Sequence, residues 1–145
     1  MEAVMDLNLK LMIVLGKLSR VFLDRLSKNL ESLDMPISAY PMLAHLNDVG
    51  RAKTQKLGEV AFITSGSITH MINKLIKQNW VRKVVDAEDK RITWIEMTDE
   101  GQRIFDQVHK THMAYLDGLL EDFTDEEKIM FINQIKYFGK TIEEK

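Results

Sequence analysis

Apolar residues recur at helical spacing from the start of the chain. Leu7, Leu11, Val14, Leu15, Leu18, Phe22, Leu26 and Leu33 form one stripe, and Leu9, Met12 and Ile13 add a second face. One core contact needs only one stripe, so the second face predicts a further apolar partner. Met35-Pro36-Ile37-Ser38 interrupts the pattern; Ser38 can cap the next helix, Pro41 suits a first turn where no N–H is required, and Gly50 marks the end. A short third helix is expected over residues 54–62 with Leu57, Val60 and Ala61 on one face, followed by a tight turn in ITSGS. A fourth, over residues 65–78, turns Ile68, Met71, Ile72 and Leu75 inward and Ser67, Thr69, His70, Asn73, Lys74 and Lys77 outward. Asn79 stands where a left-handed helix stop is expected.

The segments WVRKVV and RITWIEM are rich in β-branched and aromatic residues and read as a two-stranded hairpin, with Thr93, Ile95 and Met97 on one face and Trp94 on the other. Thr98 then caps a long helix whose first residues, Asp99 and Glu100, suit the positive end of its dipole. Its apolar stripe runs from Ile104 and Phe105 through Val108 to Tyr115, Leu116, Leu119 and Leu120. Thr124-Asp125-Glu126-Glu127 is a capping-box pattern opening a last helix with Ile129, Phe131, Ile132, Ile135 and Phe138.

Composition narrows the function classes. A chain of 145 residues, 45% hydrophobic and 29% charged, has the make-up of one soluble domain. No apolar run reaches the roughly 20 residues of a membrane span, and the N-terminal stretch is interrupted by Asp6, Lys10 and Lys17 and lacks a small-residue cleavage site, so a cytoplasmic protein without a membrane partner is expected. With no cysteine, disulfides and thiolate metal sites are excluded. His109 and His112 share a helix face, yet no carboxylate or cysteine ligand spacing accompanies them, and they read as polar residues at a packed edge. With no Ser-His-Asp arrangement and no phosphate-binding glycine loop, neither an enzyme nor a cofactor is expected.

Net charge changes the picture most. The whole chain carries −2, but residues 51–91 hold nine Lys/Arg against four acids, a local +5 that leaves −7 elsewhere. A basic face on an acidic scaffold attracts phosphates through its local potential. Asp86, Glu88, Asp89, Lys90 and Arg91 crowd the hairpin tip, either as a solvated turn or as a support that holds one cation toward a polyanion. A helix, a tight turn and a helix with a polar and basic outer face are what a helix-turn-helix needs to enter a major groove.

ISAYPMLAHL and the stretch KLGEVAFITSGSITHMINKLIKQNWVRKVVDAEDKRITWIEMTDEGQRIF resemble the MarR family of winged helix-turn-helix regulators. The most specific part is Asp-x-x-Asp-x-Arg at Asp86, Asp89 and Arg91, followed by Met-Thr-Asp-Glu-Gly, similar to the family's Leu-Thr-x-x-Gly. SGSIT with this wing also looks like the branch typified by methylhydroquinone-responsive repressors. The resemblance implies a mainly α fold with a small β-hairpin wing. A single domain of residues 1–145 would hold a DNA-binding lobe at 38–98 and dimerisation helices at 1–34 and 99–145.

Its expected partners are a second copy, a near-palindromic double-stranded operator and a small aromatic effector, phenolic or quinone-like, that releases a repressor. The residues assigned to the duplex are Ser65, Ser67, Thr69, His70, Asn73, Lys74, Lys77, Arg82, Asp89, Lys90 and Arg91, with Arg91 at the minor groove and Asp89 orienting it. Leu18, Phe22, Met42, His45, His112 and Tyr115 are candidates to line an effector site, each also readable as plain core. Two departures from the family stand out: His70 where arginine is usual, and Asn79 in place of the helix-ending glycine. A constitutive DNA-binding protein without an effector is the alternative; a protein-interaction module would show no salt-dependent duplex binding.

Overall fold

A computed structural model describes residues 6–61 and 65–145, with Ser65 described by its backbone alone. Among these residues are six helices, α1 (Leu7–Ser32), α2 (Ala39–Val49), α3 (Thr54–Ala61), α4 (Ser65–Lys77), α5 (Asp99–Leu119) and α6 (Asp125–Glu143). Three short strands join them: β1 (Arg51–Ala52), β2 (Val81–Val85) and β3 (Thr93–Met97). The chain divides into two compact units, residues 1–110 and 111–145. The fold is mainly α with a small β-hairpin wing, the winged helix-turn-helix topology that the resemblance implies. Among the described residues no helix is long and apolar enough to cross a membrane.

In the first unit the inward residues of α4 meet those of α2 and α3. Met42, Leu43, Leu57, Ile72 and Leu75 are fully buried, and Met71 packs against them in part. A Cβ on Gly58 would overlap the Ile68 side chain, so glycine lets α3 and α4 lie in close contact. The expected helix end at Phe62 and the first part of the ITSGS turn, Ile63 and Thr64, lie outside the described residues; Ser65, Gly66 and Ser67 of that segment are already helical.

Two helices stop in the same way. Asn79 adopts φ 60°, its N–H donates to the Ile76 carbonyl at 2.9 Å, and Trp80 N–H reaches back to Leu75 at 2.9 Å. These are the paired bonds of a Schellman stop, sealed by contact between the apolar residues at its two ends. At α1 the same pair runs from Asp34, φ 56°, to Glu31 and from Met35 to Leu30. The stop therefore precedes Met35-Pro36, where the sequence pattern puts the break. Ser38 precedes α2 as expected but gives no side-chain cap, because its backbone is already helical and the Pro36 carbonyl accepts from Ala39 and Tyr40.

The strands form one antiparallel sheet in the order β1-β3-β2, pairing Arg51 with Glu96, Ala52 with Ile95 and Val84 with Trp94. Ile95 is buried at its centre while Thr93 stays exposed. The pattern of the sequence does not predict β1: two residues are too few to show a period of two. The hairpin is closed at its base where Thr98 N–H donates to the Trp80 carbonyl at 3.0 Å and the Thr98 hydroxyl donates to the Asn79 carbonyl. The same hydroxyl accepts from Gly101 N–H at 3.0 Å, which caps α5.

In the second unit, Thr124 and Glu127 exchange both bonds of the capping box, at 3.2 and 2.9 Å. α6 buries none of its residues and exposes Ile129, Phe131, Ile132, Ile135 and Phe138. α1, in the first unit, exposes Leu7, Met12, Ile13, Val14 and Leu15 among others.

A Cβ on Gly101 would overlap the Trp80 carbonyl oxygen, which is backbone and cannot turn aside. Gly101→Ala is expected to cost about 1–3 kcal/mol through overpacking, measured by urea unfolding; unchanged stability would show that the junction yields freely.

Candidate nucleic-acid interface

The outer face of α4 follows directly from its inner one. With Ile68, Ile72 and Leu75 buried, Ser67, Thr69, His70, Asn73, Lys74 and Lys77 are turned out and exposed. Lys74 and Lys77 stand in the last turn, where cations favour the negative end of the helix dipole. The face thus offers hydroxyl, imidazole and amide groups over its length and ammonium groups at one end. That is suited to reading base edges while neutralising phosphates.

The wing is organised by two carboxylates. Asp86 Oδ1 accepts from the N–H groups of Glu88 at 3.0 Å and Asp89 at 2.9 Å, and Oδ2 accepts from the Trp94 indole N–H at 2.8 Å. Asp86 N–H donates to Ile92 and Ile92 N–H to Asp89, so backbone and carboxylate close the turn together. The indole donor, then the two backbone donors, hold the Asp86 carboxyl at about 2, well below its ordinary 3.8.

Asp89 grips Arg91. Its Oδ1 accepts from Arg91 Nε and from the Arg91 backbone N–H, both at 3.0 Å, and Oδ2 accepts from Nη2 at 2.9 Å. This is a two-pronged charge-assisted pair. It lowers the Asp89 pKa and raises that of Arg91, while the guanidinium side chain stays 90% exposed at the tip. Lys90 is exposed beside it.

Arg82 lies opposite Glu96 in the strand register and pairs with it at 3.2 Å. The sequence assigns Arg82 to the duplex without this partner, because cross-strand neighbours appear only once the register is known. Nor does the sequence pattern give Trp94 a role beyond its face of the hairpin. The structure makes Trp94 the donor to Asp86 and sets the Arg51 guanidinium 4.6 Å from its ring centroid. One signal points to the first of these: a half-buried indole N–H needs an acceptor, and Asp86 lies across the hairpin.

The candidates for an effector site divide between the two units. In the first, Met42 is fully buried, Phe22 and His45 are half-buried, and Leu18 is exposed. In the second, His112 is buried and stacks on half-buried Tyr115, with ring centroids 6.3 Å apart. His109 stacks on Phe105 and shares a 2.7 Å hydrogen bond with the Tyr40 hydroxyl, whose pKa burial raises. Among the described residues no group of three His, Cys, Asp or Glu is placed to hold a metal ion.

Comparisons with known proteins point one way. The profile of the family described as Transcriptional regulator SarA/Rot matches residues 25–108. The HTH-type transcriptional regulator MhqR of Bacillus subtilis is 26% identical over 132 residues, 91% of each chain. The structure of AbsC, a MarR family transcriptional regulator from Streptomyces coelicolor, superposes over all of both chains with a TM-score of 0.85 at 17% identity. A mutant MarR from E. coli complexed with operator DNA superposes over 95% of this chain and 99% of its own with a TM-score of 0.75 at 20% identity.

Because the Asp86 pKa is depressed, its bonds contribute stability that is present above the ordinary carboxylate value and is lost as pH falls through about 2. The Trp94 indole N–H resonance is therefore expected to hold its bonded position from neutral pH to below 3.8 and to move as Asp86 protonates. In Asp86→Ala it should be displaced already at neutral pH. A wild-type midpoint at the ordinary value, read by NMR, would mean the bond contributes nothing.

Proposed function

Because this chain is a MarR-family winged helix-turn-helix transcriptional regulator and belongs to the family described as Transcriptional regulator SarA/Rot, we propose that it acts as a homodimeric repressor. It reads a near-palindromic operator with one α4 per half-site and is released by a small aromatic, phenolic or quinone-like ligand. The observation that carries the reading is the exposed polar face of α4 beside a wing whose tip presents Arg91 from the Asp89 carboxylate.

The apolar side chains that α1 and α6 each leave exposed support the dimer. Fully burying one such side chain stabilises by about 1.5–3 kcal/mol, and a second copy supplies a surface of the same kind. Two-fold symmetry then separates the half-sites by roughly 34–36 Å, one turn of the duplex. In this arrangement Thr69, His70 and Asn73 read bases. Ser65, Ser67, Lys74, Lys77, Arg82 and Lys90 fix the register on phosphates, and Arg91 enters the minor groove or meets its phosphates.

Release by a ligand draws its support from the resemblance of SGSIT and the Asp-x-x-Asp-x-Arg wing to the methylhydroquinone-responsive branch. Leu18, Phe22, Met42, His45, His112 and Tyr115 are the residues proposed to meet it. A ligand acts only as far as it binds the released state better than the bound one.

Arg91→Ala is expected to weaken duplex binding about tenfold, or about 1.4 kcal/mol, without unfolding the dimer; unchanged affinity in a gel-shift titration would remove the wing from the interface. Thr69→Ala and Asn73→Ala should alter sequence preference, whereas Lys77→Ala should lower the slope of log affinity against log salt by about 0.9 for each phosphate no longer neutralised. Selection of bound duplexes from genomic DNA, with each variant, checks both. Phenols and quinones that raise the melting temperature should also release the selected duplex. A panel with no such compound favours constitutive binding.

A further inference from the structure

We propose that Arg51 and Lys53, seated on the indole face of Trp94, form a second phosphate-contacting site on the outer face of the three-stranded sheet, so that each subunit holds the duplex both there and at the wing tip. The proposal rests on the DNA-reading function above and extends it to residues outside α4 and the wing tip.

β1 sets the geometry. Ala52 is buried against Ile95, so Arg51 and Lys53 on either side of it share the opposite, exposed face of the sheet. Trp94, next to Ile95 on β3, belongs to that same outer face. Its ring lies 4.6 Å from the Arg51 guanidinium carbon and 5.7 Å from the Lys53 ammonium nitrogen. Both distances fall within the reach of a cation–π contact. The ring is itself held in place by the 2.8 Å bond from its N–H to Asp86, so the cations rest on a fixed plate.

Pairing separates these two cations from the two arginines of the hairpin. Arg82 is paired with Glu96 and Arg91 with Asp89, whereas among the described residues neither Arg51 nor Lys53 forms an ion pair. The nearby carboxylates are already engaged: Asp86 accepts three N–H groups, and Asp89 holds the Arg91 fork. A guanidinium stacked on a ring keeps its N–H edge free, and an exposed ammonium keeps its donors, which suits phosphate oxygens. Stacking also restricts both side chains before binding, so less freedom has to be given up when the duplex arrives.

The test compares wild type, the Arg51→Gln/Lys53→Gln double variant and Arg91→Ala on one duplex selected from genomic DNA. Affinity is measured over a range of salt and phosphate contacts are mapped by ethylation interference. The double variant should bind roughly tenfold more weakly, with a salt slope smaller by about 0.9 for each phosphate no longer neutralised. It should also lose interference at phosphates that remain sensitive in Arg91→Ala. Both side chains are exposed, so its melting temperature should match wild type. A wild-type slope and interference pattern in the double variant, with Arg91→Ala still weakened, would overturn this proposal alone. Absence of salt-dependent duplex binding by the wild type would overturn it together with the function it rests on.

Discussion

The placement of the wing depends on one junction, where the Asn79-Trp80 stop of α4 meets the first turn of α5. Thr98 bonds through its N–H to the Trp80 carbonyl and through its hydroxyl to the Asn79 carbonyl, and the same hydroxyl caps α5 at Gly101. The hairpin leaves at Trp80 and returns at Thr98, so both of its ends are tied to the last turn of α4. Any rotation of the wing against α4 must break these bonds. Gly101 belongs to the same constraint: a side chain there would occupy the space of the Trp80 carbonyl.

Beyond the junction the hairpin is organised by polar groups, because its outer face has little to bury. Asp86 gathers two backbone donors and one indole into a closed turn, and Asp89 orients Arg91. The acids at the tip are therefore internal fittings of the wing. This is why a net charge of −2 over the chain sits comfortably with a DNA-binding surface.

Much of the fold was legible in the sequence, and the reasons are local. Ile68, Met71, Ile72 and Leu75 define one face of a helix whatever it packs against, and Thr124 with Glu127 describes a cap within four residues. The outward face of α4 follows by subtraction. What was not legible depends on register and on choice of partner. β1 pairs only two residues, too few for a pattern. Arg82 meets Glu96, and Trp94 meets Asp86, only after β2 and β3 have aligned. Asp34 stops α1 in a left-handed conformation that glycine or asparagine would have announced more openly.

The clamp of Asp89 on Arg91 has an electrical consequence. Seen from farther than the Debye length of about 8 Å in physiological salt, a carboxylate bonded to a guanidinium is close to a dipole, and it exerts little pull on a distant phosphate. In the function proposed above, Arg91 would act only at short range, once its exposed side comes within reach of a groove and its shape is matched there. On the same proposal, the long-range field that gathers the duplex would come from cations that carry no such partner. Capture and fit thus become tasks of different residues, the first sensitive to ionic strength and the second to the geometry of the tip.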